Sequence, residues 1–255
     1  NNVGATMTRA QDAKINAASG TNTVTLTDAG AVTGNANVET YVLADGGGTT
    51  FTLGADAQNV TTGNGADIVD VGTRTATGTF TTVAADTIKL GNGADVKGVD
   101  SGAGAGGAFT ANTLELASGA SVTMTAAQNN SFTSATAAGT ETIAISDAND
   151  ATGLATIETY TLAAGTQTFT LGATGQNVTA DSTGATGAIT IDTSTFTSVT
   201  GIFDDNTGDD TIALTLSQDG VNISSANTTD VDTIALANNV GATMTRAQDA
   251  KINAA

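Results

Sequence analysis

The chain has 255 residues, carries 25 acidic against 7 basic side chains for a net charge of −18, and contains no Cys, His, Trp or Pro. Those absences remove thiolate nucleophiles, imidazole bases, disulfides and most zinc sites, and leave hard oxygen ligands that favour calcium or magnesium. The charge is the reverse of the basic footprint that nucleic acid needs, and no stretch approaches the roughly 20 apolar residues of a membrane helix, so neither nucleic acid nor direct membrane insertion is expected.

In chain order, the first predicted element is a short helix over Thr8–Ala18, capped by Thr8 and stopped by Gly20. A strand follows, in which Thr21, Thr23, Thr25 and Thr27 share one face while Val24 and Leu26 share the other. The same alternation recurs at Asp86–Leu90, Asp210–Leu214 and Asp232–Leu236. Clusters of Gly, Asn and Asp punctuate these runs about every ten residues, as turn chemistry requires. A second short helix is expected over Thr125–Ala138.

The strongest signal is repetition. Asn1–Ala18 and Asn238–Ala255 are identical over 18 residues, which sets a period of 237 residues and implies a tandem array. A weaker repeat lies inside it. GATMTRAQDA around Met7 returns as SVTMTAAQNN around Met124, VETYVLA from Val38 as IETYTLA from Ile157, and FTLGADAQNV from Phe51 as FTLGATGQNV from Phe169. The chain therefore divides into half-repeats 1–118 and 119–237, with 238–255 starting the next copy. Short strands, small core residues and few aromatics predict an all-β fold, a β-solenoid with one short helix per half-repeat. Tandem β-sandwich domains, one per half-repeat, are the alternative.

Three places look like glycine-aspartate cation loops. Gly63, Gly65 and Asp67 sit in GNGADIV, Gly91, Gly93 and Asp95 in GNGADVK, and Gly208 and Asp210 in GDDTI. Glycines let carbonyls converge on a hard cation and Asp supplies the charge, so calcium is the expected ligand; ordinary tight turns explain the same residues equally well. The scattered Asp residues likewise suit either solubility through self-repulsion or cation binding.

With these turns, the repeat and the ETYVLA and FTLGADAQNV strands in view, the chain resembles the RTX-like bacterial surface-layer proteins and giant repetitive adhesins. The resemblance implies type I export, calcium-stabilised β-solenoid folding and assembly at the cell surface or outside the cell. The expected function is then structural: tandem copies self-assembling into a surface layer or a matrix or biofilm fibre. The expected partners are identical copies and cell-surface polysaccharide. An adhesin stalk, or a ligand-binding face built on Thr-x-Thr arrays such as Thr21/Thr23/Thr25 and Thr166/Thr168/Thr170, is the alternative. An enzyme is not expected: adjacent carboxylates such as Asp204/Asp205 or Asp209/Asp210 point to opposite faces of a strand, and no His stands near them.

Overall fold

The computed structural model describes residues 3–17, 20–102, 104–180, 187–206 and 210–252. Two compact units are present, Asn1–Gly139 and Thr140–Ala255. Each is a stack of coils in which most successive strands go to different sheets and pair in parallel with strands of the next coil. Stacked partners are separated by 17 to 20 residues over most of the first unit. Two strands and two turns fill one such coil, which is why turn signals recur at half that interval.

In the first unit, one sheet runs β1 (Val3–Met7), β2 (Asn22–Leu26), β4 (Thr40–Val42), β6 (Asn59–Thr61), β8 (Phe80–Thr81). The other runs β3 (Ala31–Thr33), β5 (Thr50–Thr52), β7 (Ile68–Gly72), β9 (Thr87–Leu90), β10 (Thr113–Leu116), β12 (Ser134–Thr136). A further strand, β11 (Ser121–Met124), is bridged at Thr123 to Asp95. In the second unit, β13 (Thr142–Ile145), β15 (Thr159–Leu162), β17 (Asn177–Ala180) and β19 (Phe203–Asp204) stack on one side. On the other stack β14 (Ala151–Thr152), β16 (Gln167–Thr170), β18 (Ala188–Asp192), β20 (Thr211–Leu216) and β22 (Thr233–Leu236). A short pair, β21 (Val221–Asn222) with β23 (Ala242–Thr243), completes it. All these pairings are parallel, so the predicted β-solenoid is the fold and the sandwich alternative is excluded.

Alternation decides which side chains enter the core. In β2, Val24 and Leu26 are buried while Thr23 and Thr25 stay half-exposed. The half-repeats reproduce each other closely. Tyr41 packs on Phe51 and Tyr160 on Phe169, both with ring centroids 4.7 Å apart and tilted by 48°. Tyr41 Oη also accepts from Asn35 N at 2.7 Å and donates to Asp12 Oδ1 at 3.2 Å.

The repeated F-T-L-G-A-x-x-Q motif closes a coil corner. A Cβ on Gly54 would stand 1.8 Å from Gly34 O, and one on Gly172 1.8 Å from Gly153 O, so only glycine fits between stacked turns. The buried Gln58 then bridges two coils: Oε1 accepts from Gly54 N and Ala55 N, while Nε2 donates to Asn35 O and Val38 O at 2.7 and 2.9 Å. Gln176 makes the equivalent four bonds in the second half-repeat.

The helices are shorter than expected. Thr8 caps as predicted and Thr125 does the same in the second helix, each in a Thr-x-x-Gln capping box, but α1 covers only Arg9–Asp12 and α2 only Ala126–Ser131. The third, α3 (Arg246–Asp249), repeats α1. Each is a coil corner, and in α2 and α3 the cap Gln takes the place of the corner Gln of the other motif: Gln128 Nε2 donates to Val96 O and Gln248 Nε2 to Ile223 O, at 2.7 and 2.8 Å. The chain must leave the corner to bury Phe132 and pair β12, which ends the helix.

Candidate metal centre and the acidic corners

Asp67 enters β7 from the first glycine turn and is fully buried. Its Oδ1 accepts from Thr49 N at 2.8 Å and its Oδ2 from Gly63 N at 3.2 Å. Its own N–H donates to Asp86 Oδ1 at 2.9 Å, and Asp86 Oδ2 accepts from Thr62 Oγ1 and Val83 N at 2.6 and 2.7 Å. The two carboxylates are therefore successive rungs that cap backbone donors of neighbouring coils. Burial pushes the Asp67 carboxyl above the usual range, the Asp86 charge adds to that, and the N–H groups of Thr49 and Gly63 oppose it. Gly63 and Gly65 are held to glycine by crowding, since a Cβ would come within 2.4 Å of Ala44 O and of Gly47 Cα respectively.

The second glycine turn occupies a different corner, after β9 rather than before a strand of that sheet. Gly91 N donates to Gly72 O at 2.7 Å and Gly93 N to Ser121 O at 2.8 Å. Asp95 accepts from Lys97 N at 3.1 Å and pairs with Lys97 Nζ at 2.8 Å. Asp67 and Asp95 therefore do not stack, and the structure does not bring these two predicted sites together. At the third place Asp210 is buried and accepts from Gly187 N at 2.6 Å; Gly208 and the neighbouring Asp209 lie outside the described residues.

The same use of acidic side chains recurs around both units. Asp28 accepts from Arg9 N, Glu39 from Asn22 N, Glu158 from Glu141 N, and Asp232 from Ile212 N, at 2.6 to 2.9 Å. Part of the acidic content is thus backbone capping between coils, where charge-assisted bonds are stronger than neutral ones. Three cations pair with acids on adjacent coils. Arg9 meets Asp28, Arg74 meets Asp56, and Lys89 meets Glu115 at 2.9 Å, a contact that raises the Lys89 pKa.

One acidic group among the described residues has metal-ligand geometry. Carboxylate oxygens of Asp204, Asp205 and Asp230 all lie within 4.8 Å of one another. Buried Phe203 anchors β19 and presents Asp204 outward. Phe203 N donates to Asn227 O at 3.1 Å, laying the next coil alongside. Asn227 Oδ1 then accepts from Thr229 N and Thr229 Oγ1 at 3.1 and 2.8 Å, a turn that places Asp230 beside the other two. Asp204 itself accepts from Asn206 N at 2.7 Å. Hard carboxylate oxygens converging from two coils fit a divalent cation such as calcium or magnesium.

In the sequence Asp204 and Asp205 read only as an adjacent acid-base pair, and nothing there links them to Asp230. The signal that joins them is coil register, here the Ile202–Asn227 bridge, which periodicity in the larger repeat does not reveal. The Thr columns are also clearer in the structure. Thr23 stacks on Thr40 and Thr40 on Asn59, while Thr25 stacks on Val42, so the Thr-x-Thr rungs do not form an unbroken array. No helix among the described residues is long and apolar enough to cross a membrane. Compared with models of protein families, with curated proteins and with solved structures, the chain matches none.

Proposed function

We propose that the chain is a structural segment of an extracellular bacterial protein, whose tandem copies assemble with one another into a surface layer or a matrix fibre. The observation that carries this reading is the return of 18 identical residues after 237, with both copies folding into the same Thr-capped turn. A stack of coils lengthens by adding copies, and each new coil offers the same donors and acceptors as the last. The acidic, half-exposed outer faces keep such a stack soluble. The RTX-like appearance of the glycine turns supports a surface location, and an adhesin stalk is the nearest relative of this role.

Calcium is the cation assigned to Asp204, Asp205 and Asp230, because the three donors are all carboxylate oxygens and the chain has no Cys or His to favour a softer metal. Calcium at about 100 times its dissociation constant would add about 2.7 kcal/mol to folding stability. Thermal melts of the wild-type chain and Asp230→Asn, each with calcium and with chelator, check this assignment. The wild type should melt higher in calcium and the variant should not; equal melting of the wild type in both conditions contradicts it. Sedimentation of the purified chain tests assembly separately, with large species expected in calcium and their loss on chelation.

A further inference from the structure

Residues 4–15 and 241–252 have one sequence, and the structure shows it in two settings. The 241–252 coil lies on the coil before it. Val221 and Asn222 pair in register with Ala242 and Thr243. Ile223 N donates to Thr243 O and Ile234 N to Lys251 O, both at 2.9 Å, while Gly241 N donates to Asp219 Oδ1 at 2.8 Å. The buried Gln248 sends Nε2 to Ile223 O and Ala226 O at 2.8 and 3.2 Å. Lys251 Nζ caps the carbonyls of Thr228, Thr229 and Val231 at 2.8, 2.7 and 2.6 Å. On the other side of this coil, Arg246 and Asp249 are exposed.

In the 4–15 coil the pattern is reversed. Arg9, the counterpart of Arg246, binds Asp28 through N and Nε. Asp12, the counterpart of Asp249, is buried beneath the Tyr41 hydroxyl. Gln11 and Lys14, the counterparts of Gln248 and Lys251, are exposed. Beside them Val3 is 55% exposed and, with Ala5, Ile15, Ala17 and Val24, lines an apolar recess. Each copy therefore displays the contacts of one face and leaves the other bare. The related corner at Thr125–Asn129 shows the completed state, with Gln128 and Asn129 both buried.

We propose that the bare face of the 4–15 coil is a docking surface for a second copy of the repeat, which lays its Asp219–Ile234 coil there. Lys14 Nζ then caps the carbonyls of residues 228, 229 and 231, and Gln11 Nε2 those of Ile223 and Ala226. The N–H groups of Ile223 and Ile234 reach Thr6 O and Lys14 O. Since the sequence of residue 1 follows residue 237 in the repeat, a preceding copy arrives at this face with no linker to span. The joint deepens the tandem-copy reading and rests on it for the supply of a neighbouring copy.

The test is the full chain extended ahead of Asn1 by a copy of residues 219–237, compared with the unextended chain. Hydrogen exchange should protect the added amides corresponding to Ile223 and Ile234 as strongly as the originals, which make the same bonds at the other end. Lys14→Met should lower the melting temperature of the extended chain by about 2–4 °C, the shift of a ~1 kcal/mol contact in a chain of this size. The same substitution should leave the unextended chain unchanged. Unprotected added amides, or an equal effect of Lys14→Met in both chains, would overturn the proposal. Protection at the joint in a chain that forms no large species on sedimentation would support the joint and remove the assembly reading.

Discussion

At Asp67 two effects oppose each other, and their balance sets how its protonation couples to folding. Burial and the Asp86 charge favour the neutral acid, while the N–H groups of Thr49 and Gly63 favour the carboxylate. Asp12 is raised in the same way, mainly by burial. A carboxyl with a folded pKa above its unfolded value of 3.8 holds a proton that the unfolded chain has released. Stability from these two groups should therefore rise as pH falls from neutral towards 4 and level off below the unfolded value. Denaturant midpoints between pH 7 and 4 check this, and Asp67→Asn should flatten the slope; a midpoint that falls steadily over that range contradicts it. Asp67→Ala removes both acceptors and leaves the N–H groups of Thr49 and Gly63 without them, a loss of about 2–6 kcal/mol at about 1–3 kcal/mol for each buried donor. The sequence marked Asp67 and Asp95 as chemically special through their glycine turns. Glycine turns alone do not say that Asp67 caps a neighbouring coil, which depends on which coil lies alongside, or that Asp95 pairs with Lys97 two residues on in its own turn.

Elements here are too short to stand alone, and among the described residues none exceeds six residues. Their stability comes from register, fixed where a corner Gln links two coils. Gln58→Leu should cost about 2–4 kcal/mol, since it leaves the N–H of Gly54 and the carbonyl of Val38, among others, without their partner. Chemical denaturation measures this loss, and Gln176→Leu should match it because the bonds are equivalent. Strand alternation and Thr caps were readable from local chemistry, and so was the Gln that returns in both motifs, though not its role. Helix length is not legible in the same way, because the residues after Asp12 and Ser131 are held to the demand to turn the corner and pair the next strand. Coil length stayed hidden for a related reason: turn signals fall twice per coil, and the coils vary around bulges such as the one at Asp70–Gly72.

At the scale of the whole molecule, the 237-residue period carries most of the meaning. It was legible at once, since identity over 18 residues needs no structural interpretation. What the structure adds is that the two copies of those residues show complementary halves of one coil, one with Gln248 and Lys251 engaged and the other with Asp12 and Arg9. That complementarity, with a charge of −18 over the chain, fits a protein that grows by repetition and is held apart from other surfaces by its acidity. Divalent cations at Asp204, Asp205 and Asp230 would reduce that self-repulsion. The most direct test of assembly from tandem copies is electron microscopy of the native material, before and after chelation. The account predicts a regular sheet or long thread with a repeating subunit, loosened when the cation is withdrawn. Dispersed particles of single-copy size in the presence of calcium would contradict it.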